Sequence, residues 1–101
     1  PEKSLEEIVK SLPDGKRLIF VTCYDNRYEQ PHRVSVAMEK VAPKYKFVTI
    51  MPWEKEAMNH PEYYAGTDGV HFYGVMDAYD AYLNMLKEAI NESLKKPAKG
   101  E

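Results

Sequence analysis

Leu18-Ile19-Phe20-Val21-Thr22-Cys23 is the stretch that decides the fold class. It is an unbroken apolar run rich in β-branched and aromatic residues, the pattern of a strand covered on both faces, as in a parallel sheet. Lys46-Phe47-Val48-Thr49-Ile50-Met51 repeats the pattern and is halted by Pro52-Trp53. Between them Val34, Ala37, Met38 and Val41 share one helical face, so a helix is expected from about His32 to Ala42, ended by Pro43. Strand, helix, strand makes a βαβ unit and an α/β fold.

On the amino-terminal side, Ser4-Leu5-Glu6-Glu7 reads as a capping box with Ser4 as N-cap. Leu5, Ile8, Val9 and Leu12 then give a short amphipathic helix, stopped by Pro13-Asp14-Gly15. Beyond the second strand, a helical turn is expected over Glu54–Asn59. The longest helix is expected over Val75–Lys95, with a stripe of Tyr79, Tyr82, Leu83, Leu86 and Ile90. Lys95–Glu101 reads as a flexible, solvated tail after a domain ending at residue 94.

Two strands apolar on both faces are interior pieces of a larger sheet. Further strands are therefore expected, either before Pro1 in a longer polypeptide or from a second chain that completes the sheet. The bulk composition is ordinary for one folded domain: 101 residues, 44% hydrophobic and 30% charged. A formal net charge of -2 gives no broad attraction for nucleic acid.

The chemistry centres on Thr67-Asp68-Gly69-Val70-His71. An Asp three residues before a His, with Gly between, suits a tight loop in which the carboxylate reaches back to the imidazole. That contact would fix the ring's tautomer, as a general base requires. The residues leave a second reading open, in which Asp68 caps a turn or the last helix beside a His that merely packs there. No nucleophile is evident. Ser4, Ser11, Ser35 and Ser93 all fall in expected helices, and none sits on an exposed strand-to-helix turn. Cys23, the single cysteine, lies at the carboxyl end of the first strand and reads as an inert buried thiol.

Glu56, His60 and His71 have no metal-ligand spacing, so neither a metal nor a cofactor is expected. His32 is expected to act locally at a helix start. Tyr63, Tyr64, Tyr73, Tyr79 and Tyr82 crowd the Asp–His loop, some as core and others as a stacking wall for a sugar.

Together, the two strands, the helix with Met38-Glu39-Lys40-Val41-Ala42, Trp53, the segment His60-Pro61-Glu62-Tyr63-Tyr64 and Asp68-Gly69-Val70-His71 resemble the C-terminal half of the SGNH (GDSL-like) hydrolases. The likeness is closest to the extracellular SGNH domains of membrane acyltransferases of the peptidoglycan O-acetyltransferase type. It implies a three-layer α/β/α, flavodoxin-like parallel sheet, of which this chain supplies the last two strands and about three helices. It implies that Asp68 and His71 complete a Ser-His-Asp triad whose serine, with the Gly and Asn of the oxyanion hole, lies upstream of Pro1. The implied function is that of an esterase or O-acetyltransferase acting on a cell-surface polysaccharide at the outer face of a bacterial membrane. Any membrane contact would run through an N-terminal transmembrane domain outside this chain. On this reading the chain alone is inactive. Phe72-Tyr73-Gly74 after the His, and Tyr24–Pro31, depart from the family pattern. The alternatives are an inactive SGNH-like module binding glycan or protein, and a small α/β protein that dimerises.

Overall fold

The computed structural model describes all residues, Pro1–Glu101. In chain order its elements are α1 (Glu2–Ser11), β1 (Leu18–Val21), α2 (Gln30–Val41), β2 (Val48–Met51), α3 (Trp53–Asn59) and α4 (Met76–Leu94). Single 3-10 turns at Ala42–Lys44 and Pro61–Tyr64 follow α2 and α3. The strands pair in parallel, Leu18 opposite Val48 through Val21 opposite Met51. They form a two-stranded sheet and nothing wider. The βαβ unit expected from the two apolar runs is present.

Alternation along the strands divides the interior into two cores. Phe20 and Val48, with Leu18 and Ile50, join Leu5 and Val9 of α1 and Ala37 and Val41 of α2. Met51, with Ile19 and Val21, faces the other way, toward Trp53 and Ala57 of α3 and Ala78 and Ala89 of α4. Successive strand side chains point to opposite faces, so two continuous apolar strands support helices on both sides. The result is three layers, helix, sheet, helix. No helix is long and apolar enough to cross a membrane.

Two local expectations are overturned. Ser4 is not an N-cap: α1 begins at Glu2, after Pro1, and no side chain caps it. Helical backbone starting earlier places Ser4 inside the first turn, where its hydroxyl cannot reach the orphan N–H groups. The segment Lys95–Glu101 is not a solvated tail. Its backbone pairs with the turn after α1, Gly15 N–H to the Lys99 carbonyl and Lys99 N–H to the Lys16 carbonyl. Ala98 is buried.

Lysines do the remaining work there. Lys99 Nζ donates to the carbonyls of Val9, Lys10 and Leu12, at 3.2, 2.8 and 2.6 Å. These groups lie at the carboxyl end of α1, where the helix dipole favours a cation. Lys96 Nζ donates to the Val48 carbonyl at 2.8 Å. Because Leu18 and Thr22 bond to the carbonyls of Phe47 and Met51, the parallel ladder turns Val48 outward, and Lys96 occupies the free edge of β2. Lys99→Ala should lower stability by about 1 kcal/mol. The urea midpoint should fall with an unchanged slope, and an unaltered midpoint would show that the segment is not docked.

Candidate active site

Both loops that leave the carboxyl ends of the strands are tied down by buried hydroxyls. Ser35, on α2, accepts the Cys23 N–H at 2.8 Å, and its own hydroxyl lies within reach of the carbonyls of Cys23 and Pro31. Thr22 accepts the Glu54 N–H at 2.9 Å and so fixes the start of α3 to the end of β1. Burial without partners would cost about 1–3 kcal/mol per group, so these contacts hold the chain exit from the sheet in one place.

The Asp–His loop is built on that base. Thr67 Oγ1 donates to the Tyr64 carbonyl at 2.8 Å and accepts the Gly69 N–H at 3.2 Å. Asp68 Oδ1 accepts the N–H groups of Val70 and His71 at 3.0 and 2.9 Å. These are the local turn bonds that short oxygen-bearing side chains offer. Asp68 Oδ2 then lies 2.9 Å from His71 Nδ1. The two readings left open by the sequence are therefore partly the same object, because one oxygen caps the turn and the other holds the imidazole. Asp68 does not cap α4, whose N-cap is Val75.

Electrostatics agree with an ionised carboxylate. The His71 ring, with the two backbone N–H groups, holds the Asp68 carboxyl far below its ordinary range. A proton shared with Nδ1 fixes the neutral imidazole as the tautomer whose Nε2 carries the lone pair. His71 stays substantially open to solvent.

Gly69 is where the loop meets its neighbour. Its φ is +88°, and a Cβ there would stand 2.1 Å from Asn26 Oδ1. Asn26 N–H donates to the Gly69 carbonyl at 3.2 Å. The loop after β1 is thereby locked against the Asp–His loop, a contact that sequence reading missed; a Gly between Asp and Val was its only trace. Asp25 and Arg27 brace the same loop through a bidentate pair at 3.1 and 3.2 Å, and the Arg27 contacts hold Asp25 below its usual range.

The other candidates are placed elsewhere. Cys23 is half-buried, and burial, with Glu54 adding, raises its pKa. That opposes thiolate formation. His60 lies between Glu62, at 2.9 Å, and Glu56, at 3.5 Å, and stacks on Tyr63. His32 pairs with Glu54 at 2.9 Å. Ser35 and Ser93 are buried, Ser11 bonds to the Ile8 carbonyl, and Ser4 lies in α1.

The fold has a counterpart among known proteins. No protein-family model and no curated protein matches the sequence. Among solved structures, the C-terminal catalytic domain of peptidoglycan O-acetyltransferase A (OatA) of Streptococcus pneumoniae, determined with a methylsulfonyl adduct, is similar. The TM-score is 0.89 at 30% identity over 99% of this chain. The chain spans 62% of the length of that structure.

Two measurements test the site. Asp68 should titrate well below about 3.9 when followed by carboxyl NMR from about pH 1 to pH 6. Because folding lowers its pKa, the pair's contribution to stability is complete above roughly pH 4 and is lost as pH falls through the depressed value. An ordinary titration would mean that the contact does not persist in solution. Gly69→Ala must displace Asn26 and adopt a left-handed backbone, so it should shift the amide signals of both loops and destabilise by about 1–3 kcal/mol.

Proposed function

Starting from an OatA-like, SGNH-type α/β fold, we propose that the chain supplies the Asp and His of a Ser-His-Asp triad in an esterase or O-acetyltransferase. Its substrate would be an O-acetylated cell-surface polysaccharide such as peptidoglycan, outside the membrane. The observation that carries this reading is the Asp68 Oδ2–His71 Nδ1 contact of 2.9 Å. It occurs in a fold that matches an acyltransferase catalytic domain.

In the proposed reaction His71 Nε2 accepts the proton of a serine hydroxyl as its oxygen attacks the acetyl carbonyl. The imidazolium formed is steadied by Asp68, which keeps its negative charge. Collapse of the tetrahedral intermediate breaks the old ester bond. His71 returns the proton to the departing oxygen, and the acetyl group remains on the serine. Water or a sugar hydroxyl, deprotonated by the same Nε2, then attacks the acetyl carbonyl; the serine ester bond breaks, and His71 returns the proton to the serine oxygen.

The serine and the oxyanion donors would come from the remainder of such a domain, in a longer polypeptide or a second chain. Two features support a place for it. The backbone groups of Ile19 and Val21 point away from β2, leaving one edge of β1 open. On α4, Leu83, Ile90 and Leu94 are exposed.

The chain alone should not hydrolyse a chromogenic acetyl ester. Supplied with the serine-bearing remainder, fused or in trans, it should do so, and His71→Ala should lower the rate by about a thousandfold or more. Asp68→Asn should also be strongly impaired, since the amide no longer selects the required tautomer. An assembled domain whose rate ignores His71→Ala would sink the triad and favour a module that binds glycan or protein without catalysis.

A further inference from the structure

The cavity beside His71 has walls that the acyl chemistry does not use. Val70, His71, Phe72, Tyr73 and Tyr79 line an open cavity of about 220 Å³. That is smaller than the ~300–1,000 Å³ of pockets that enclose drug-sized ligands, and it suits a single ring. Its lining is largely aromatic. Tyr73 lies nearly parallel to the His71 imidazole, with centroids 4.9 Å apart and 19° between planes. Phe72 meets Tyr79 edge-on at 5.0 Å and 80°.

The tyrosines of this region fall into two groups. Tyr63 and Tyr64 are buried, and their hydroxyls are engaged, by Glu56 and by the Trp53 indole respectively. Burial, with the Glu56 carboxylate adding, pushes Tyr63 up to about 12. Tyr73 and Tyr79 are 63% and 40% exposed. Packing the core does not require two tyrosines this open to water, next to the group that would move the proton.

A pyranose ring fits both properties. Its C–H face packs against an aromatic ring, while its hydroxyls reach the phenols. An acyl chain would fill the cavity but leave both phenols unused. We infer that Tyr73 and Tyr79 form a platform for one pyranose ring of the polysaccharide, beside His71. The inference rests on the proposed function for the ring's role in catalysis, but not for the binding itself.

The test uses the 101-residue chain and chitotriose, a soluble trimer of N-acetylglucosamine, as probe. In amide-resolved NMR, shifts should concentrate at residues 70–73 and 79. Tyr73→Ala and Tyr79→Ala should each weaken binding by about tenfold, whereas Tyr73→Phe, which keeps the face, should lose only a few-fold. Both sites are exposed, and the remaining amide signals report whether each variant folds. Binding is read without catalysis, and the triad is read from the rate of the assembled domain, so a failure of the triad and a failure of the platform are distinguishable. Absent or scattered shifts, or unchanged affinity in both alanine variants, would overturn the platform. So would shifts at these residues with ethyl butyrate but not with chitotriose, which would make the cavity an acyl pocket.

Discussion

The buried indole of Trp53 is the constraint on which the site depends. Trp53 opens α3, directly after β2, and stacks on Tyr63 with 6° between planes. It meets Phe72 at 5.3 Å and the edge of Tyr82 at 5.0 Å. Its Nε1–H donates to the Tyr64 hydroxyl at 2.9 Å, so its one polar group is satisfied inside the cluster. Four segments converge there: the end of the sheet, the 3-10 turn, the loop bearing His71 and α4. An aromatic anchor of this kind is worth about 3–5 kcal/mol to a core. Phe72 follows His71 directly, so fixing Phe72 in the cluster fixes the backbone from which the imidazole projects.

This explains how a loop with little regular structure holds a 2.9 Å contact between two solvent-facing groups. A surface ion pair by itself is worth about 0–1 kcal/mol and does not order a chain. The order comes from beneath and beside it. Phe72 is held by Trp53, Thr67 is bonded to the Tyr64 carbonyl, and Gly69 is pressed against Asn26. Position is thus set by packing and turn bonds, which frees the Asp68 carboxylate to act on the ring.

The layers were legible in the sequence because they depend on local patterning. The apolar runs at Leu18–Cys23 and Lys46–Met51 yielded the parallel pair, and the last helix was placed within a residue at each end. However, Tyr79, Leu83 and Ile90 of its expected stripe are exposed, and Ala78, Ala89 and Ser93 are buried instead. The Asp68–His71 contact was legible for the same reason, since turn chemistry at a spacing of three is local. What the sequence hid is tertiary. The residues Lys96 and Lys99 read as tail composition until the carbonyls of Val48 and Val9 stand within reach of their ammonium groups. Asn26 and Gly69 are far apart in sequence and meet because the parallel strands β1 and β2 send the chain out of the sheet at the same end. Ser4 misled in the opposite direction: the cap motif was correct as a pattern but lost to a helix that begins earlier.

Exposure separates what this chain fixes from what its proposed reaction needs. A charged pair open to water is screened, and its field on a nearby reacting oxygen is weak. Catalysis of acyl transfer relies on preoriented donors in a space from which water is excluded. Here the tautomer of His71 is set by Asp68, and one face of its ring is already covered by Tyr73, but the side chain stays substantially open to solvent. The open edge of β1 and the exposed Leu83, Ile90 and Leu94 of α4 lie on surfaces that further sheet and helix would cover. A segment docking there would supply a wall as well as a nucleophile. The same burial that completes the sheet would then strengthen the Asp68–His71 pair, coupling assembly of the domain to the proposed chemistry.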